Sequence, residues 1–174
     1  DEPLDLAAVR LFFAERVVGQ DEAISTVVDR IAMLKAGLVD PSKPVGVFLF
    51  AGPTGTGKTE LAKTLAAFLF GSPDRLLRLD MSEFQTGDSV VKIVGERGVV
   101  PSSDPLVERI RKQPFSVVLL DEFEKAHSGV WDLFLQVFDD GRLTDANGHT
   151  ADFRHAIIVL TSNLGAGSRG TSAL

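Results

Sequence analysis

The sequence contains no cysteine and no tyrosine, and only one tryptophan and two methionines among its 174 residues. Without cysteine there is neither a disulfide framework nor a thiolate nucleophile or zinc–thiolate site, and the composition fits an intracellular, cytoplasmic setting. Long hydrophobic runs are missing as well. The longest, Val45 to Ala51 and Ala156 to Leu160, fall far short of the ~20 apolar residues that a membrane helix needs, and no signal-peptide pattern opens the chain. A membrane is therefore not an expected partner. Basic residues are outnumbered, 18 against 24 acidic, for a net charge of −6, which argues against a broad nucleic-acid-binding face. There are no internal repeats, charge blocks or low-complexity tracts. What is present, 44% hydrophobic and 24% charged residues, suits one globular domain with a substantial core. The chain starts at Asp1, residues 1–15 read as a lead-in and residues 165–174 as a small polar tail, so 1–174 is expected to be one domain taken from something longer.

Periodicity places the elements. Ile24, Val27, Val28, Ile31 and Leu34 follow the i, i+3, i+4, i+7 rhythm of a helix that Asp21 can cap. Strands are expected over Val45 to Ala51, Leu76 to Met81, Ser116 to Leu120 and His155 to Thr161. Between them lie helical patterns around Ser89 to Val94 and Leu106 to Lys112, separated by a loop rich in Gly, Pro and Ser. Val130, Leu133, Phe134, Val137 and Phe138 form one face of a further helix stopped by Gly141, with Trp131 expected in the core. Arg142 to Phe153 reads as a hairpin turning at Asn147-Gly148. Apolar strands alternating with helices imply a parallel sheet covered on both faces, a three-layer α/β/α fold.

The most specific motif is Gly52-Pro53-Thr54-Gly55-Thr56-Gly57-Lys58-Thr59, which fits G-x-x-x-x-G-K-[ST]. It follows a strand and opens a helix with Leu61, Leu65 and Phe68 on one face and Gly71 at its end. Strand, glycine turn and helix together let backbone N–H groups close around phosphate oxygens, with the positive end of the helix dipole adding to them. Lys58 is expected to reach the β- and γ-phosphates of a nucleotide and the Thr59 hydroxyl to hold Mg²⁺. The third strand delivers Asp121 and Glu122 to the C-terminal edge of the sheet, where ligands of open α/β sheets collect. Asp121 suits an Mg²⁺ site, reached through water, and Glu122 suits the activation of an attacking water. The fourth strand ends Leu160-Thr161-Ser162-Asn163, where the Asn163 amide could reach the γ-phosphate or the same water, although Ser and Asn at a strand end are also ordinary turn residues. His127, His149 and His155 lack metal-site spacing.

Several longer blocks resemble one family. Arg16 to Ala23, the continuation Thr59-Glu60-Leu61-Ala62-Lys63, Leu79 to Phe84, Leu120 to His127, Leu135 to Asp145 and Thr161 to Gly165 are similar to the large ATPase subdomain of the AAA+ class of P-loop NTPases. The match is to the second ATPase domain of Clp-type chaperones, the AAA-2 type. The resemblance implies ATP and Mg²⁺ as cofactors, a ring of subunits (a hexamer), client polypeptides as substrates, and a protease or adaptor as a further partner. It implies that Asn163 senses the γ-phosphate, that Val17 and Val18 line the adenine pocket, and that the nucleotide-binding run extends from Gly52 through Glu60. It also makes His127 a structural residue.

Two departures bear on activity. The family's aromatic pore loop, which grips substrate polypeptide, is replaced here by Val94 to Pro105, a shorter stretch with no aromatic residue; Val99 and Val100 offer much less contact area. The family's fifth strand, arginine finger and sensor-2 arginine follow the sensor-1 strand, near which this chain stops. An arginine finger is worth ~10³–10⁵ in rate. The expectation is an ATPase, weak as an isolated piece, that drives protein remodelling. The alternative is a nucleotide-dependent scaffold or switch that assembles on ATP without threading a substrate.

Overall fold

In a computed structural model, the structure describes residue 7 and residues 21–37, 40–51, 56–162 and 171–173. Four strands form a parallel ladder: β1 (Gly46–Ala51), β2 (Leu76–Asp80), β3 (Val117–Asp121) and β6 (Ile157–Ser162). The spatial order is β2-β3-β6-β1, with β7 (Thr171–Ala173) added antiparallel on the outer side of β1. Strand bounds differ by one or two residues from those expected, and β7 is a correction. Its Thr and Ser give no apolar alternation, so the segment reads as a polar tail until the free edge of β1 supplies hydrogen bonds.

Alternation along the strands sorts the core onto two faces. Phe48, Phe50, Val117, Leu119, Ile157 and Val159 pack under α1 (Asp21–Lys35) and α2 (Thr56–Phe70), against Val27, Val28, Leu61 and Leu65. Val47, Leu77, Leu79, Val118, Leu120, Ile158 and Leu160 face the other way. They meet α3 (Val91–Val94), α4 (Leu106–Lys112) and α5 (Ser128–Asp140) through Ile93, Ile110, Val130, Phe134 and Val137. Two buried faces explain why β3 and β6 read as unbroken apolar runs, and the result is the expected α/β/α sandwich.

Local differences have local causes. The Ser89–Val94 pattern is a 3₁₀ turn over Gly87–Val90 running into the single turn of α3. Trp131 is not core: its side of α5 faces outward at 37% exposure, and its indole N–H donates to the Phe123 carbonyl at 2.8 Å. His127 is structural as expected, its Nδ1 accepting from the Gly129 N–H at 3.0 Å to cap α5. His155 stacks on Phe115, with ring centroids 4.8 Å apart.

The hairpin of β4 (Arg142–Thr144) and β5 (Thr150–Asp152) follows α5 directly, because Gly141 turns the chain at φ 66°. A Cβ at Gly141 would lie 2.8 Å from both the Ser42 carbonyl oxygen and the Arg154 Cγ. Left-handed backbone and a backbone clash act together, so Gly141→Ala is expected to cost about 2 kcal/mol or more in urea unfolding. Asp152 accepts from the backbone N–H and the guanidinium of Arg154, which pulls its carboxyl down to about 2. Because this pKa is depressed in the fold, the pair's contribution is present above the ordinary carboxylate range and is lost as pH falls towards 2. The pair is well exposed, so Asp152→Asn is expected to cost under about 1 kcal/mol at neutral pH and almost nothing near pH 2, measured by urea titration at both.

Candidate functional site

The parallel register brings the chemistry to one edge. Asp80 sits opposite Asp121, Leu120 opposite Leu160 and Ala51 opposite Ser162, so β1, β2, β3 and β6 all end on the same side. Helix α2 starts on that side, five residues after β1, and Lys58 falls in its first turn. The Lys58 side chain is buried, at 7% exposure. Burial lowers its pKa, and the negative charges of Asp121 and Glu124 oppose the drop. An ammonium group placed here in the field of two carboxylates has the character of a cationic phosphate anchor.

Asp121 is gripped from both sides. Its Oδ2 accepts from Arg78 Nη2 at 2.9 Å, and its Oδ1 accepts from the Thr161 hydroxyl. Burial alone would raise the Asp121 pKa, but the hydrogen bonds from Thr161 and Arg78 and the charges of Arg78 and Lys58 hold it below the ordinary value. The carboxylate is therefore ionised and fixed. Each oxygen keeps a lone pair for a further ligand, which suits contact with a hydrated cation.

Glu122 follows in an unusual backbone state. At φ 56° and ψ 49° it is the one non-glycine residue with positive φ among the described residues. The left-handed conformation costs ~1–2 kcal/mol for an L-residue. It ends β3 abruptly and starts the 3₁₀ turn Phe123–Lys125. The Glu122 N–H donates to Thr161 Oγ1 at 3.0 Å, and its carboxylate pairs with Lys125 at 3.2 Å.

Of the residues singled out from sequence, the structure brings Lys58, Asp121 and Glu122 to one edge, with Gly57 and Thr59 flanking Lys58 on α2. Glu60 is exposed, its carboxylate 3.5 Å from Lys63 Nζ. Thr56 opens α2. Val17, Val18, Gly52, Pro53, Thr54, Gly55 and Asn163 lie outside the described residues. Sequence reasoning missed Arg78 and Thr161 as partners of Asp121. Their only signal was position, Arg78 as a charged residue in an apolar strand and Thr161 as a hydroxyl near the end of one.

The donor set fits a magnesium nucleotide. Among the described residues no group of three or more His, Asp or Glu side chains could cage an ion alone. Magnesium needs no such cage, since it keeps several waters and takes ligands from substrate phosphates beside one or two carboxylates. A hydroxyl such as that of Thr59, the fixed Asp121 carboxylate and a buried lysine are the kinds of group that such a ligand would require of the protein.

Residues 43–172 match the family described as AAA domain (Cdc48 subfamily). The chain belongs to this family. It is 54% identical over 154 residues to the chaperone protein ClpB of Meiothermus ruber, covering 87% of this chain and 18% of that protein. The same identity over the same length holds for ClpB of Aquifex aeolicus, covering 15% of it. The chloroplastic chaperone protein ClpC3 of Oryza sativa subsp. japonica is 49% identical over 170 residues, 96% of this chain and 18% of that protein. The chain thus carries a Clp-type domain of an AAA+ ATPase family and spans under a fifth of the length of these relatives. One of them is chloroplastic by name, so kinship alone assigns no compartment. No helix among the described residues is long and apolar enough to cross a membrane.

The Arg78–Asp121 pair joins a half-exposed guanidinium to a carboxylate that is 21% exposed. Pairs of this exposure contribute little, so Arg78→Met is expected to cost about 1 kcal/mol or less in urea unfolding, with the difference shrinking in high salt.

Proposed function

We propose that this chain binds ATP with magnesium and hydrolyses it, as the motor core of a Clp-like ring that remodels client proteins. The observation that carries the reading is the buried Lys58 in the first turn of α2, in the electrostatic field of the Asp121 carboxylate. Lys58 neutralises phosphate charge, while the Gly52–Gly57 backbone supplies N–H donors to the same oxygens. Thr59 and Asp121 would hold a magnesium ion, which would supply positive charge to the phosphoryl group being transferred. Glu122 accepts a proton from the attacking water, its direction set by the left-handed turn at its own backbone. Asn163 contacts the γ-phosphate, Glu60 extends the nucleotide-binding run, and Val17 and Val18 enclose the base.

The similarity to ClpB and ClpC3 proteins supports assembly as a ring, a hexamer, that acts on polypeptide clients with a protease or adaptor as a further partner. A specific feature favours a second reading, a nucleotide-dependent switch that assembles without threading substrate. The loop between α3 and α4 exposes Val99 at 49% and Val100 at 93%, with no aromatic ring to grip a chain. The loop is also tied back to the hairpin, Gly98 N–H to Asn147 Oδ1 at 3.2 Å and Ala146 N–H to the Val94 carbonyl at 2.9 Å.

Measurements on the full-length protein separate these readings. Lys58→Ala is expected to abolish binding of a fluorescent ATP analogue. Glu122→Gln is expected to keep binding and to lower turnover by ~10²–10⁴. Unfolding of a tagged substrate alongside turnover supports the motor; turnover without unfolding supports the switch. Unaltered binding by Lys58→Ala removes both.

A further inference from the structure

One hydroxyl group connects the sensor strand to both acids of the site. Thr161 is buried at 3% exposure in β6, facing the end of β3 across the parallel ladder. Its Oγ1 donates to Asp121 Oδ1 and accepts the Glu122 N–H at 3.0 Å. A hydroxyl is the smallest group that can do both at once, since it carries one donor and two acceptor lone pairs. Serine and threonine share this ability, whereas valine, with the same shape, has neither.

The two bonds act on different properties. The bond to Asp121 fixes one carboxylate oxygen, as Arg78 fixes the other, so the group cannot rotate. The bond from the Glu122 N–H occupies a main-chain donor that the left-handed turn removes from the strand ladder. Without that acceptor a part-buried N–H would be left unpaired just where the backbone is strained, and extended conformations would compete. A shift of β6 therefore reaches the Asp121 carboxylate and the Glu122 main chain through a single atom.

We propose that Thr161 is a positioning residue for the hydrolytic acids: its hydroxyl holds Asp121 in rotamer and Glu122 in its left-handed turn, and so couples the sensor strand to water activation. The inference rests on the ATPase reading above. It assigns Thr161 no contact with nucleotide, metal or water, and the effect is therefore on turnover rather than on affinity.

Thr161→Val, Thr161→Ser and Thr161→Ala test it. In the full-length protein Thr161→Val is expected to lower kcat at least about tenfold, while KM and the affinity for a fluorescent ATP analogue stay within about twofold. Thr161→Ser is expected to recover most of the lost turnover. Should valine not be accommodated, the Ser and Ala variants carry the same comparison, because they differ only by the hydroxyl in an equal space. Trp131 gives a readout independent of hydrolysis. It is the only tryptophan of this chain, its indole donates to the carbonyl of Phe123 in the turn that Glu122 opens, and any tryptophan elsewhere in the full-length protein is replaced by phenylalanine for the measurement. Its emission is expected to change in Thr161→Val and Thr161→Ala and to match the unsubstituted chain in Thr161→Ser. Turnover by Thr161→Val within about twofold of the unsubstituted protein, a serine variant as slow as valine or alanine, or emission alike in all four overturns the proposal. Failure of the unsubstituted protein to bind ATP removes the ATPase reading instead, and leaves the Trp131 comparison standing as a test of the hydroxyl's hold on the turn.

Discussion

A lysine kept out of water but in the field of carboxylates is the interaction around which this domain is arranged. Burial lowers the Lys58 pKa, and the nearby charges of Asp121 and Glu124 oppose that loss. Asp121 in turn stays ionised because Arg78, Thr161 and Lys58 stabilise its carboxylate against its own burial. Neither charge is comfortable alone at such depth, since an unpaired buried ion is costly. Together they make a polar edge on a sheet that is otherwise apolar on both faces. A ligand that brings phosphate and a divalent cation adds charge of each sign to that edge.

The parallel sheet makes this possible by ending its strands together. In the register observed, β1 leads to α2, β3 leads to Asp121 and Glu122, and β6 leads to Thr161 and Ser162. Helices on both faces exclude water from the strands beneath, so the site rests on a rigid floor. Asp121 and Thr161 stand within the last two positions of those strands, and Glu122 is the first residue beyond, where backbone geometry is free to depart from the ladder. Glu122 shows this departure most clearly, with its left-handed backbone satisfied by a side chain on a neighbouring strand.

Much of the fold was legible because its signals are local or periodic. The apolar runs of β1, β3 and β6, the helical stripe of α5 and its stop at Gly141 follow from side-chain spacing and from backbone preference. The lysine, the two acids and their shared edge followed from a motif whose mechanics need a strand before it and a helix after it. Trp131 was misread because large aromatics on an amphipathic helix are usually core. Here the ring lies just off the buried stripe, with its polar N–H committed to a turn carbonyl. The strand β7 was missed because its pairing depends on the open edge of β1 rather than on its own residues.

By itself the sequence determined that four apolar strands would alternate with helices, and that a lysine and two acids would gather where those strands end. Short-range sterics and hydrophobic periodicity are enough for that. Only the tertiary structure decided what holds those acids. Arg78 and Thr161 reach Asp121 from 43 and 40 residues away in the chain, each from a different neighbouring strand. The physical reason is that strand order and register are set by the packing of two whole faces, and hydrogen bonds between strand ends appear only once that packing is complete.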